Sequence, residues 1–397
     1  MKAFVFATAV FFAGNVFAEL AKPVRILDID IPHAAPFMAD MDGDDLPDLI
    51  VGQYLDDPYT GARGRWFRNT GTLKQPRFGV SEGKYLRSGQ TDMSVDEICY
   101  TGFGPQVVDF NGDGIRDVIS GERNAVLCVF RGRSDRTFAR PVRIPYIANQ
   151  SLKRSFAYNA RLFATDWDSD GDMDLLVARQ GVWLIPNNGS MSEAKFAEPK
   201  VLIEHVRKTP LATCVDLADW DCDGLADLIV GSTDGSVVLH RNEGAQVSDL
   251  KFAAPVQLVA PSKTSSVKIA PGAVYESPDV PARQIRICVT DYDHDGLPDL
   301  LLGDAVLATV QYDDENPAPS DVPSYQQTRT RLKTLEAELE ALTGTVVSEN
   351  KSASVEQSTQ VLAKKKECAA VWQHYYRSPR RRSSRHGSVW LFRRVAP

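Results

Sequence analysis

Short apolar runs recur along this chain, each entered through an acidic stretch. Leu49-Ile50-Val51-Gly52, Leu228-Ile229-Val230-Gly231 and Leu300-Leu301-Leu302-Gly303 are three of them. Apolar runs this short, bounded by turn residues, predict buried β-strands. Another apolar segment precedes the acidic stretch, as at Gln106-Val107-Val108, and a third follows, as at Gly235 to Arg241. A fourth opens on Phe-Ala-x-Pro, at Phe138 to Pro141, Phe196 to Pro199 and Phe252 to Pro255. Four short strands in each ~55–70 residues predict one blade of a β-propeller.

The acidic stretches share one register. Position 1 is Asp40, Asp109, Asp166, Asp219 and Asp291 in turn. Position 3 is Asp42, Asn111, Asp168, Asp221 and Asp293. Position 5 is Asp44, Asp113, Asp170, Asp223 and Asp295, and position 9 is Asp48, Asp117, Asp174, Asp227 and Asp299. Aspartate favours turns for local hydrogen bonding, but a turn does not need four oxygen donors in one register five times over. Side chains at these positions of a tight loop converge on one point. Calcium takes ~6–8 hard oxygens, and the carbonyls of Leu46, Ile115, Asp172, Leu225 and Leu297 at position 7 would add one per loop. Up to five Ca²⁺ are therefore expected. Magnesium resists dehydration into such a cage, and transition metals would call for His or Cys ligands. Cys222 and His294, at position 4, are expected to point outward. Position 6 calls for a left-handed backbone, met by Gly114, Gly171, Gly224 and Gly296. The first loop carries Asp45 there, so its site is the least secure of the five. The large residues at position 2 (Met41, Phe110, Trp167, Trp220, Tyr292) are expected to pack between blades, with sugar stacking as the alternative.

Five loops predict five blades, an all-β fold. The segment Leu20 to Ile26 copies the fourth-strand segment Phe138 to Ile144, and Gly387 to Leu391 copies the third-strand segment Gly235 to Leu239. The N-terminal strand is therefore expected to complete the last blade and remove two open sheet edges. Between Gly303 and Gly387 the pattern changes. Tyr325 to Leu342 carries Leu332, Leu335, Leu339 and Leu342 at helical spacing, a Gly- and Ser-rich turn follows from Gly344, and Val355 to Tyr376 predicts a second helix. This helical hairpin interrupts the last blade between its second and third strands, so it should leave from the face opposite the Asp loops. Either it packs on its own blade or it contacts a partner. The run Arg377, Arg380, Arg381, Arg382 and Arg385 reads as solvated linker, or as a contact for anionic glycan or envelope lipid. The expected division is 1–18 leader, 19–304 propeller, 305–386 hairpin with basic linker, and 387–397 closing strand.

Met1-Lys2, the apolar run Ala3 to Gly14 and Ala18 at the cut site predict a cleaved signal peptide. The run falls short of the ~20 residues a membrane span needs, and no later stretch is apolar enough. A secreted, periplasmic or cell-envelope protein is expected. Cys128, Cys214 and Cys288 lie in apolar runs and are expected to be buried free thiols. Cys99, Cys222 and Cys368 complete a set whose spacing shows no disulfide framework. Forty-five Lys and Arg against 52 Asp and Glu give a net charge of −7, which supplies no general electrostatic reason to bind nucleic acid. Losing Lys2 with the leader makes it −8, and five Ca²⁺ would carry it to +2.

The DxDxDGxxD loop, the apolar-Gly strand after it and the Phe-x-x-Pro strand resemble the FG-GAP/VCBS repeats of integrin-α-like propellers. The secreted bacterial VCBS-repeat proteins are the most similar. The resemblance covers Leu20 to about Gly303 and Gly387 to Arg394. It implies calcium in the loops and membership of a class that includes secreted adhesins, lectins and polysaccharide lyases. Fold analogy does not fix function. Two principal readings stay open: a non-catalytic scaffold that binds glycan or protein, and a polysaccharide lyase or hydrolase with its site on one propeller face. A third is a structural partner in an envelope assembly through the hairpin. The six His form no catalytic motif, and nucleophile-elbow, P-loop and HExxH signatures are absent from the sequence. No catalytic residue is assigned, and an enzyme is the less favoured reading.

Overall fold

The computed structural model describes residues 20–29, 33–54, 61–96, 102–122, 124–147, 161–244, 251–271, 273–310, 323–348, 355–376 and 383–395. The leader, Cys99 and Arg377 to Arg382 lie outside them.

Five antiparallel sheets follow one another around a ring. Blade 1 holds Ala35–Ala39, Asp48–Gly52, Ala62–Phe67 and Lys84–Tyr85. Blade 2 holds Gln106–Val108, Asp117–Glu122, Val126–Phe130 and Val142–Pro145. Blade 3 holds Arg161–Thr165, Asp174–Ala178, Gly181–Ile185 and Lys200–Glu204. Blade 4 holds Ala212–Ala218, Asp227–Ser232, Val237–His240 and Val256–Val259. In blade 5 the strands Arg283–Thr290, Asp299–Val310 and Ser383–Phe392 are joined by Val24–Ile29 from the start of the chain. That last pairing runs antiparallel from Val24↔Leu391 to Ile29↔Gly387, as the sequence predicts. The ends are zipped further by the Leu20↔Arg394 bridge and by Ala21 N donating to Arg393 O at 2.8 Å.

Each sheet buries both faces, because each is sandwiched between two neighbours. The strand entered from the acidic loop is buried at every position in blades 1 to 4, and from Asp299 to Val306 in blade 5, which explains its continuous apolar run. Five apolar clusters fill the five gaps. Met41 packs against the cluster that joins Ile50 of blade 1 to Val118 and Phe130 of blade 2. Phe110 joins blades 2 and 3, Trp167 blades 3 and 4, Trp220 blades 4 and 5, and Tyr292 blades 5 and 1. Position 2 of each loop is thus an inter-blade wedge. The glycine that closes the apolar run of the second strand has a steric cause: a Cβ on Gly52 would lie 1.9 Å from Phe103 O, and one on Gly303 2.1 Å from Ala34 O. The chain entering the next blade crosses there.

The structure departs from expectation in the insertion. The second strand of blade 5 continues past Gly303 to Val310, and the third begins at Ser383, before Gly387. The extra residues pair with each other as a ribbon, from Val306↔His386 to Thr309↔Ser383, satisfying backbone groups that a loop would leave to water. A short strand, Ser266–Ile269, lies parallel to its edge. The helix α1, Pro323–Ser348, runs through Gly344, where a turn was expected. A helical Gly costs only ~1 kcal/mol, which neighbouring turns offset. The helix α2 is Val355–Tyr376. Leu332 and Leu335 on α1 and Cys368 and Ala369 on α2 are buried, whereas Leu339 and Leu342 are half-buried. Because strand Asp299–Val310 starts beside an Asp loop, the hairpin leaves from the opposite face. Among the described residues no helix is long and apolar enough to cross a membrane.

Candidate metal centre

Each Asp loop joins the first strand of a blade to the second, so all five open on one face. A repeated hydrogen-bond scheme shapes them. The position 1 carboxylate turns the chain back by accepting from backbone N–H groups of positions 4 to 6. Asp109 accepts from Gly112 and Gly114 at 2.8 Å, Asp219 from Asp223 and Gly224 at 2.9 and 3.0 Å, and Asp291 from Asp295 and Gly296 at 3.0 Å. Asp40 accepts from Gly43 and Asp45, and Asp166 from Gly171. Position 5 accepts from the N–H of position 7 in every loop, at 2.8–3.0 Å.

Position 9 has a different task. Its carboxylate is buried, and one oxygen accepts from the backbone N–H two residues beyond the third strand. The partners are Asn69, Gly132, Asn187, Asn242 and Arg394, at 2.6–2.7 Å. The other oxygen accepts from the N–H of position 2 in loops 1, 3, 4 and 5, at 3.0–3.1 Å. Burial pushes these carboxyls up, to about 6 at Asp174, Asp227 and Asp299, against the pull of those hydrogen bonds. Asp48 and Asp117 are raised by the same cause.

Two positions in each loop are left-handed. At position 6 these are Asp45, Gly114, Gly171, Gly224 and Gly296. Asp45 adopts the conformation with φ +65°, so the first loop closes without glycine. Sequence reasoning missed the second one, position 4. Gly43, Gly112, Ser169, Cys222 and His294 all have positive φ. Two glycines there were the available signal, hidden by three residues of other types. Cys222 and His294 are exposed, as expected of side chains aimed away from the loop.

Four loops gather acidic oxygens within 4.8 Å of one another: Asp40, Asp42 and Asp48; Asp166, Asp168 and Asp170; Asp219, Asp221 and Asp227; Asp291, Asp293 and Asp295. Asp44, Asp174, Asp223 and Asp299 stand in the same loops outside these groups. Asp109, Asp113 and Asp117 are not gathered in this way, and Asn111 Nδ2 donates to Asp113 Oδ2 at 3.0 Å, holding that carboxyl below the usual range. The oxygens drawn together are short of donors. Asp42 Oδ1, Asp166 Oδ1, Asp221 Oδ1 and Asp293 Oδ1 are buried with no hydrogen-bond partner. Burial and then repulsion from Asp223 raise Asp221. A buried carboxylate oxygen without a donor is costly, and a hard cation is the partner that satisfies several at once. The donor set, oxygen only, fits Ca²⁺.

Cys128, Cys214, Cys222, Cys288 and Cys368 are free thiols. Burial pushes Cys128 up to about 12, and Cys214 and Cys288 up as well, so all three are protonated and inert.

Comparison with solved structures finds similar folds at low identity. A lectin of Agrocybe aegerita, described as recognising non-reducing terminal N-acetylglucosamine, is 17% identical, with 68% of this chain and 60% of that one covered and a TM-score of 0.33. The chain thus spans about three-fifths of that relative's length. The α-L-arabinofuranosidase of Podospora anserina, in complex with cellotriose, is 10% identical, with 77% and 93% covered and a TM-score of 0.46. BBS1N in complex with ARL6DN is 11% identical, with 53% and 51% covered and a TM-score of 0.28. No curated protein matches. The FG-GAP-like repeat model matches residues 109–177 and 166–230, which run from the Asp loop of blade 2 through blade 3 into the second strand of blade 4. The chain is a five-bladed propeller that carries FG-GAP-like repeats.

Proposed function

We propose that this protein is a secreted, calcium-clamped propeller of the VCBS type, acting as a non-catalytic scaffold that binds glycan or protein. The observation that carries the calcium reading is the buried, donor-free oxygen at position 3 of loops 1, 4 and 5, converging with its neighbours. The chain's own residues do the holding: positions 1, 3, 5 and 9 of each loop present the side-chain oxygens, and position 7 a carbonyl. Calcium supplies positive charge to a crowded acidic rim and ties the first strand of each blade to the second. The cation then stabilises the fold by binding the native loops alone, by ~2.7 kcal/mol per site at a hundredfold excess over Kd. A rigid ring with the rim on one face and the hairpin on the other leaves both faces available to a ligand.

The mature protein is expected to melt at a higher temperature in millimolar CaCl₂ than in EDTA, and to carry calcium by elemental analysis after desalting. Identical melting curves with no bound metal would remove the calcium reading. Glycan-array binding that is lost in EDTA would support the scaffold reading. Release of reducing ends or unsaturated products from a polysaccharide panel would replace it with the lyase or hydrolase alternative.

A further inference from the structure

The residue directly after the third strand is arginine in four blades: Arg68, Arg131, Arg241 and Arg393. Blade 3 has Pro186 there. In blades 1, 4 and 5 this arginine meets the position 3 aspartate. Arg68 Nε lies 2.7 Å from Asp42 Oδ2, Arg393 Nη1 3.3 Å from Asp293 Oδ2, and Arg241 Nη1 3.6 Å from Asp221 Oδ2. In all three the arginine takes Oδ2, and in all three Oδ1 is the buried atom with no donor. The Asp221 side chain is 7% exposed, so this oxygen cannot turn to water. Arg241 is itself held by Glu243 at 2.7 Å, and Arg68 reaches Asp44 at 2.9 Å as well.

Each of the two remaining loops lacks one of the two partners. In loop 2 position 3 is Asn111, which presents no second carboxylate oxygen for Arg131 to hold. In loop 3 the arginine is missing and position 7 is Asp172, which is 5% exposed and whose Oδ1 also has no partner. Loop 3 therefore carries carboxylates at positions 1, 3, 5, 7 and 9 and no arginine; loops 1, 4 and 5 carry them at positions 1, 3, 5 and 9 with one arginine, loop 1 adding Asp45 at position 6; and loop 2 carries them at positions 1, 5 and 9 with one arginine.

We infer that Arg68, Arg241 and Arg393 are positioning residues of the cation sites, each occupying one oxygen of the position 3 aspartate so that the other faces the ion, and that loop 3, with Pro186 and Asp172 instead, is the strongest of the five sites. This rests on the reading that the loops bind calcium. Partners that orient a metal ligand through its second atom usually change affinity 10- to 100-fold when removed. An arginine that served only as a stand-in charge would do the opposite, because deleting a positive group beside a divalent cation tightens binding.

The test is isothermal titration of the chelator-stripped mature protein with CaCl₂, with melting temperatures in EDTA measured alongside. Arg241→Met is expected to weaken one binding event 10- to 100-fold and Arg241→Lys to restore part of that loss, with the melting temperature of each variant in EDTA serving as the baseline from which its own calcium-dependent shift is read. Asp172→Asn is expected to weaken the tightest event and leave the others. Tighter or unchanged binding in Arg241→Met overturns the positioning role, and an unchanged tightest event in Asp172→Asn overturns the ranking. A wild-type protein that gives no binding heat and no calcium-dependent melting shift would instead sink the calcium reading beneath both.

Discussion

At the scale of single residues, buried carboxylates divide into those that meet a cation site and those that do not. Asp216 belongs to the second kind. It lies on the first strand of blade 4, fully enclosed, and both oxygens are spoken for: Oδ1 accepts from Leu217 N and Oδ2 from Val289 N, each at 2.8 Å. The second bond crosses to blade 5, so Asp216 staples two blades at the ring's inner wall. Burial pushes its carboxyl up to about 7. The ordinary value is ~3.9, so between roughly pH 4 and 7 the folded state holds a proton that the unfolded state has released. Its contribution is full below pH 4 and is lost as pH rises through 7. Denaturant midpoints measured in EDTA are expected to fall from pH 5 to pH 8, and Asp216→Asn to flatten that fall. An equal slope in the variant would place the proton elsewhere. Nothing in the sequence around Val215-Asp216-Leu217 marks this residue as different from a surface aspartate on a strand edge. The Asp loops were legible because five copies stay in phase. The arginine after the third strand was not, because its meaning depends on which carboxylate oxygen it touches across twenty or more residues of sequence.

At the scale of elements, legibility followed local pattern. The strands that carry continuous apolar runs, the four-strand blade and α2 could be read directly, because each has a periodicity of its own. Strand extension to Val310 and from Ser383 could not be. Ala305-Val306-Leu307-Ala308 carries no turn signal, and Ser383-Ser384-Arg385-His386 is polar and reads as linker. Only the pairing between them makes either a strand. Blade 1 likewise departs from the plain four-strand unit, with Ser94–Val95 added to Ala62–Phe67 and a two-stranded ribbon of Arg87–Ser88 and Thr91–Asp92 beside it. The ion pairs Arg331–Glu367, Lys364–Glu338 and Lys364–Glu367 lie between or within the two helices. The ribbon ends where Thr309 faces Ser383, so a turn of a few residues can join them. Replacing residues 311–382 by such a turn is expected to leave the propeller folded. Its unfolding free energy should be unchanged or up to ~2 kcal/mol higher, because a short connection costs less entropy to close. A large loss in denaturant melts would show that α1 and α2 brace the ring.

At the scale of the whole molecule, stability is a property of closure. Every blade fills two gaps, and the wedges Met41, Phe110, Trp167, Trp220 and Tyr292 make each gap a core shared by neighbours. The last gap, between blades 5 and 1, depends on the strand Val24–Ile29. Leu27 and Ile29 contribute to it alongside Leu49, Val51, Phe67 and Tyr292. Burying two such side chains is worth ~3–6 kcal/mol, a large share of a domain's net stability. The same strand covers the edge of Ser383–Phe392, which would otherwise present unpaired N–H and C=O groups. Removing residues 19–29 therefore does two things at once. It opens the core and exposes a template for pairing with another chain. The shortened protein is expected to unfold at lower denaturant by that ~3–6 kcal/mol and to self-associate as concentration rises, read by sedimentation velocity. Leu27→Ala separates the two effects, because it thins the core by ~2–5 kcal/mol while leaving the edge paired, and it should remain monomeric. A shortened protein that stays monomeric at the wild-type midpoint would mean that the first strand decorates the ring rather than closing it.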